Sequence, residues 1–274
     1  MRYIKDWVGN TADVYVYGDI VDEKYVEEDV DVATLKSELE SLNGVSDINL
    51  YINSAGGSVF ASSTMVSLLK RMRNEQGVKV HAYIDGLCAS ASTYLAMASD
   101  DINVYQNSLM MIHKPMTISI GNADDLAKDI RTLDTIENDM MIPLYMAKAK
   151  DDITEDEIRK LIADETWFSG NAEAENYIGN YFAVNLIDEA RPFVASASAM
   201  KTLKNYKHIP EGLAETLKQV QNQPKDEIEE VIDDKVEKGV EEVAEILPEV
   251  ADDKVEEVID YTEFENIIKK LKGE

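Results

Sequence analysis

Residues 78–98 constrain most tightly what this chain can fold into. An apolar, strand-like run, Val78 to Ile84, leads into Gly86-Leu87-Cys88-Ala89-Ser90-Ala91-Ser92, and a helix-like run continues to Ala98. Small residues permit a sharp strand-to-helix corner. A serine at that corner sits at a helix start, where unpaired N–H groups and the helix dipole stabilise negative charge. An acyl-transfer enzyme places its nucleophile in such an environment. Tight structural packing selects the same small residues, so the corner gains meaning from two other segments. Asn53-Ser54-Ala55-Gly56-Gly57-Ser58 lies upstream, and Met111-Ile112-His113-Lys114-Pro115 lies downstream.

Around these segments, strand and helix patterns alternate, which points to an α/β fold. Asp13 to Ile20, Ile48 to Ile52, Val78 to Ile84, Ile102 to Tyr105 and Leu109 to Ile112 read as strands. Val32 to Leu42 reads as a helix with Val32, Leu35, Leu39 and Leu42 on one stripe, and Ser62 to Arg73 as another. A long helix is expected from Ala123 to Lys150. Thr154 with Glu157 three residues on forms a capping box for a short helix. Glu173 and Glu175 suit the acidic first turn of one more.

The text changes near residue 195. We read 1–194 as one domain, 195–224 as a linker opening with Ala195-Ser196-Ala197-Ser198-Ala199, and 225–274 as an acidic, helix-prone or disordered tail. Apolar residues Ile228, Val231, Val236, Val240, Val243, Leu247 and Val250 mostly keep three-or-four spacing there. The whole chain holds 54 Asp plus Glu against 27 Lys plus Arg, a formal net charge of -27. Such an excess argues against a nucleic-acid partner, which needs basic patches. The single cysteine, Cys88, has no disulfide partner within the chain and is expected as a buried core thiol. Neither metal-ligand spacing nor a phosphate loop is found, so no cofactor is expected. No signal peptide and no apolar run long enough to cross a bilayer are read, and a reducing compartment is expected.

A serine needs a base to take its proton and donors to hold the oxyanion. The chain has 3 histidines. His81 sits inside a strand and reads as structural; His208 lies beyond the linker. His113 ends an apolar run just before Lys114-Pro115, at a strand terminus, where sites in α/β folds often lie. Taken by itself it suits a packed or surface position as well as a base. The paired glycines at 56 and 57 suit an oxyanion turn, a peptide-binding edge or a plain connection.

Taken together, these segments resemble the ClpP-type serine peptidase family, most closely its phage branch, the head maturation (prohead) proteases. The resemblance covers about Ala12 to Glu189. It rests on Tyr51-Ile52-Asn53-Ser54-Ala55-Gly56-Gly57, Asp85 to Ser92, Met110-Met111-Ile112-His113-Lys114-Pro115 and Glu165-Thr166-Trp167-Phe168-Ser169, in that order. It implies a ClpP/crotonase-like ββα spiral. It also implies Ser90 as nucleophile, His113 as general base, and backbone N–H groups of Gly57 and Ala91 as the oxyanion hole. The third member of the triad is implied just before Trp167-Phe168-Ser169, which gives Glu165, with Asp164 as the alternative. Ala55 stands where the family has a proline, and Ala91-Ser92 where ClpP proper has Met-Gly.

The resemblance further implies an ATP-independent serine endopeptidase that cleaves scaffold and capsid proteins during head assembly. It would work as a homo-oligomer, in rings, with the 123–150 helix between subunits. Its place would be the cytoplasm of an infected bacterial host or the interior of the prohead, with no membrane partner. Other readings stay open at this point: a ClpP-like subunit serving a separate unfoldase, a Ser-Lys peptidase with Lys114 as base, a crotonase-like acyl-CoA enzyme, and an acidic assembly scaffold with a vestigial protease body.

Overall fold

The computed structural model describes residues 4–24, 26, 28–42, 44–188, 202–210 and 213, all within one compact unit, Met1–Leu217. The acidic tail, 225–274, and its expected helix lie outside the described residues.

The fold is mixed α/β. Strands β1 (Ile4–Val8), β2 (Thr11–Tyr17), β5 (Asp47–Ser54), β6 (Lys79–Ala89), β7 (Asp101–Tyr105) and β10 (Asn185–Ile187) follow one another across the main sheet in that order. Every pairing is parallel except β1 with β2. Two short strands, β3 (Ile20–Val21) and β4 (Val30–Asp31), pair separately. Burial alternates along β2, so Val14 and Val16 enter the core while Tyr15 and Tyr17 face the other way. On that second face Tyr15, Tyr51 and Tyr83 occupy one register row and stack at 4.9 and 5.0 Å. Such cross-strand aromatic contacts add to sheet stability beyond simple burial.

Helices α1 (Val32–Ser41) and α2 (Val59–Gln76) bury Leu35 and Leu39, and Met65, Leu68, Leu69 and Met72, as the apolar spacing predicts. Ser58 caps the start of α2, and Gly77, at φ 72°, ends it in the left-handed region. The 123–150 helix is interrupted. α4 (Ala123–Thr135) passes through a π-helical turn, Ile136–Met141, into α5 (Ile142–Met146). Pro143 has no N–H for the carbonyl four residues back and its ring would strike that carbonyl; the wide turn takes up the misfit. In α6 (Glu155–Ala163) the capping box forms as read: Thr154 Oγ1 accepts from Glu157 N, and Thr154 N donates to Glu157 Oε2 at 2.8 Å. The helix expected at Glu173 and Glu175 does not form. Residues 172–176 form turns instead, with Asn171 Oδ1 accepting from Glu173 N at 2.9 Å.

The decisive element is β6, which runs beyond the expected Ile84 to Ala89. Its first half pairs with β5 and β7. Its second half keeps a pairing with β5, Cys88 opposite Ser54, and exchanges β7 for β8 (Leu109–Ile112), which it pairs through Leu87, Cys88 and Ala89. Strand β8 pairs antiparallel with β9 (Thr166–Ser169). One strand thus changes neighbours part-way along within a single eight-stranded sheet, and Ser90 follows directly on its end. A one-turn 3-10 helix, Ser90–Ser92, then leads into α3 (Thr93–Ala98).

Candidate active site

Strand β6 delivers Ser90, and the neighbouring strand β8 delivers His113 one residue beyond its last position. Ser90 Oγ lies 2.6 Å from His113 Nε2. The corner is anchored on several sides. Ser62 Oγ in α2 donates to Ala91 O at 2.6 Å, Thr93 Oγ1 donates to Ser90 O at 2.6 Å, and Ser92 Oγ donates to Ala89 O at 2.7 Å. Ser90 has φ 55°, in the left-handed region that costs an L-residue about 1–2 kcal/mol. Cys88 lies fully buried beneath it, with its thiol pushed up to about 12 by burial, as a core thiol would be.

The glycine turn meets this corner at close range. A Cβ on Gly56 would come within 2.6 Å of Ala89 O and 2.7 Å of the Ser90 Cβ. Gly56 and Gly57 have φ 100° and 134°, which glycine adopts most readily. A parallel bridge to Ile20 holds the turn: Ile20 N donates to Gly56 O at 2.8 Å, and Ser58 N donates to Ile20 O at 2.7 Å. Gly57 and Ala91 line the same cleft as Ser90 and His113, a space of about 290 Å³.

His113 is buried, 8% exposed. Burial lowers its pKa below the ordinary 6.5, and the charge of Glu165 opposes that shift. The imidazole is therefore neutral at neutral pH, the form that accepts a proton. Glu165 is also buried and also has a positive φ, 51°. Its influence on His113 is through space; among the described residues no hydrogen bond joins the two. Its Oε1 instead accepts from the backbone N–H groups of Lys207 and His208, at 2.6 and 2.7 Å. The neighbouring Asp164 is exposed, and its carbonyl oxygen contacts His208 Nδ1 at 3.0 Å. Of the two acids weighed in the sequence, the buried one faces His113.

Lys114 does not take part. Its ammonium pairs with Glu137 at 3.0 Å and is more than half exposed, so the Ser-Lys arrangement is not formed. His81 bridges Asp101 and Asp47 at 2.6 and 3.1 Å on the sheet, a structural role as its position in a strand suggests.

A sixth component is absent from the sequence reading. Residues 202–210 fall inside the expected linker, yet they pack on the site, so the body extends past residue 194. Tyr206 Oη donates to Ala55 O at 2.6 Å, and its ring stands edge-on to His113 with centroids 5.1 Å apart. Thr202, Asn205 and Tyr206 form one wall of the cleft. Leu203, Tyr206 and Leu213 join a small buried cluster with Ala55, Leu87, Ala89, Met111 and Trp167. Local pattern does not announce this, because one short turn carries the segment and the contacts that tie it to the site, from Tyr206 to Ala55, His113 and Trp167, are distant in sequence.

The family model of the Clp protease matches residues 10–179. The chain belongs to the Clp protease family. It is accordingly a serine protease of the ClpP kind, in a family of oligomeric proteases that act on proteins. Within this Clp protease chain the match contains β6, β8 and β9, and so Ser90, His113 and Glu165; it ends before the wall formed by residues 202–206.

Proposed function

We propose that this chain is an ATP-independent serine endopeptidase using Ser90, His113 and Glu165, and that it acts on scaffold and capsid proteins in phage head maturation. The 2.6 Å contact between Ser90 Oγ and His113 Nε2 carries the catalytic part. A crotonase-like reaction has no need of such a contact.

In this reading His113 Nε2 takes the Ser90 proton as Oγ attacks the scissile carbonyl carbon. The carbonyl oxygen becomes an oxyanion and turns toward the N–H groups of Gly57 and Ala91. Glu165 stabilises the imidazolium across the gap. His113 then gives its proton to the leaving amine, and the C–N bond breaks. Water, deprotonated by the same imidazole, attacks the acyl-enzyme and releases the acid, returning Ser90 to its hydroxyl.

The head-maturation part is supported by the sequence resemblance and by the long acidic extension after the protease body. Self-association is supported by large apolar side chains left exposed just before and along α4, Ile118, Ile120, Leu126 and Ile130, and by exposed Phe60 of α2, which shares a shallow cavity with Ile136 and Met140. Mass spectrometry of the purified wild-type chain and Ser90→Ala, each co-expressed with head proteins, tests the proposal. Fragments of the head proteins are expected only with the wild type. Intact head proteins beside a wild-type enzyme that reacts with a fluorophosphonate would remove the head-maturation role and leave the peptidase.

A further inference from the structure

Three parts of the catalytic apparatus touch one short stretch of chain from outside the family match. Lys207 and His208 each give a backbone N–H to Glu165 Oε1. Tyr206 gives its hydroxyl proton to Ala55 O, the residue just before the glycine turn. The same phenol ring abuts His113 at 5.1 Å and Trp167 at 6.2 Å. Its hydroxyl also lies beside the Ser90 side chain. Thr202 Oγ1 secures the start of the stretch to Asp19 Oδ2 at 2.7 Å.

We propose that residues 202–210 are a working part of the active site, in which Tyr206 and the backbone N–H groups of Lys207 and His208 position the glycine turn, His113 and Glu165. The inference rests on the catalytic reading of Ser90, His113 and Glu165. Its physical basis is the cost of holding each part alone. Glu165 makes no hydrogen bond to His113, so something else must hold its carboxylate where its charge reaches the imidazole; two N–H donors to one oxygen do this. The turn that carries Gly57 has Ala55 where the family has a ring-constrained proline. Without a ring to stiffen it, Ala55 is held by the bond from Tyr206 to its carbonyl. Burial of the Tyr206–Ala55 bond among apolar side chains raises its strength.

An inhibitory plug is the rival occupant of this place. A plug would fill the cleft or take the serine from its base. Here the Ser90–His113 contact stays at 2.6 Å, and about 290 Å³ of cleft remains open, with Thr202, Asn205 and Tyr206 as wall rather than content.

Fluorophosphonate labelling of the full chain, followed in time and over probe concentration, tests the inference. Tyr206→Phe keeps the ring and loses the bond to Ala55. It should lower the maximal acylation rate about tenfold, as one lost hydrogen bond in the transition state does. The half-saturating probe concentration should barely move, and the melting temperature should fall by only a few degrees, so the protein stays folded at the assay temperature and the lost rate reports positioning and not unfolding. Lys207→Pro removes one donor to Glu165 and should label about tenfold more slowly than Lys207→Ala, which shares the loss of the side chain. Labelling of Tyr206→Phe at the wild-type rate overturns the inference, and faster labelling replaces it with the plug. If Ser90→Ala labels as well as the wild type, the parent catalytic reading fails, whatever Tyr206→Phe does.

Discussion

Ser90 and Glu165 share a backbone conformation that few non-glycine residues adopt: φ is 55° at one and 51° at the other. No other described residue except glycine has a positive φ. The serine occurs where β6 turns into the 3-10 segment, and the glutamate where α6 turns into β9. In both cases the chain changes direction within one residue at a strand end: Ser90 there lines the cleft, and Glu165 is held by the N–H groups of Lys207 and His208 where its charge acts on His113. Strain of this kind persists only where surrounding contacts over-determine the backbone, and it gathers at working sites.

The strain at Ser90 is measurable. Ser90→Gly and Ser90→Ala both lose the hydroxyl, but only glycine relieves the left-handed conformation. Ser90→Gly should be the more stable of the two by about 1 kcal/mol, because relief of strain exceeds the added entropy of the unfolded glycine chain. Parallel chemical denaturation of the two proteins reads the difference; equal stability would mean the corner is unstrained.

Acylation should rise with pH through a midpoint below 6.5, because burial lowers the His113 pKa and only the neutral ring accepts the serine proton. Glu165 pulls that pKa upward, so Glu165→Gln should shift the midpoint further down. The same change should reduce the maximal rate about a hundredfold, since the imidazolium loses its nearby charge. Labelling rates across a pH series show both effects. A midpoint that stays where it is in the variant would mean that the carboxylate does not act on this ring.

Lys114→Met should label within about twofold of the wild type. Its exposed pair with Glu137 contributes only about 0–1 kcal/mol. His113→Ala should not label measurably. The reverse pattern would restore lysine as the base.

His81 should couple stability to pH in the opposite sense from a buried neutral histidine. Burial lowers its pKa, but the hydrogen bonds and charges of Asp101 and Asp47 outweigh this and raise it above 6.5. The unfolded chain then binds fewer protons once the pH exceeds 6.5. The stabilisation from the bridged imidazolium is complete below that pH and is lost as pH rises through the native pKa. The melting-temperature gap between wild type and His81→Gln should therefore narrow from about pH 5.5 to about pH 9. A constant gap would assign the role of His81 to packing alone.

Much of the site was legible because its signals are local. The small residues around Ser90 specify a corner, the glycine pair a turn, and Pro115 a strand end beside His113. The capping box at Thr154 and Glu157 is likewise complete within four residues. The choice between Asp164 and Glu165 was not legible, since adjacent carboxylates differ only in which one the reversal at the end of α6 turns inward. Strand β1 passed unread because its pairing partner, β2, and not its own text, makes it a strand. The π-helical turn before Pro143 was hidden for a different reason: apolar spacing records which face is buried, not how the carbonyls of one turn are shared. Tyr206 was least visible of all, because its significance lies in contacts with Ala55, His113 and Trp167, all far away along the chain.

The wall built from Thr202, Asn205 and Tyr206 has a practical consequence. A shortened gene ending at residue 179 would encode every position the family shares, together with the whole Ser90–His113 pair. Its product would nevertheless have one side of the substrate groove missing and a carboxylate with two fewer donors. Homology is thus a poor guide to where this enzyme may be cut for expression; the nearest safe terminus lies after the last residue that touches the groove.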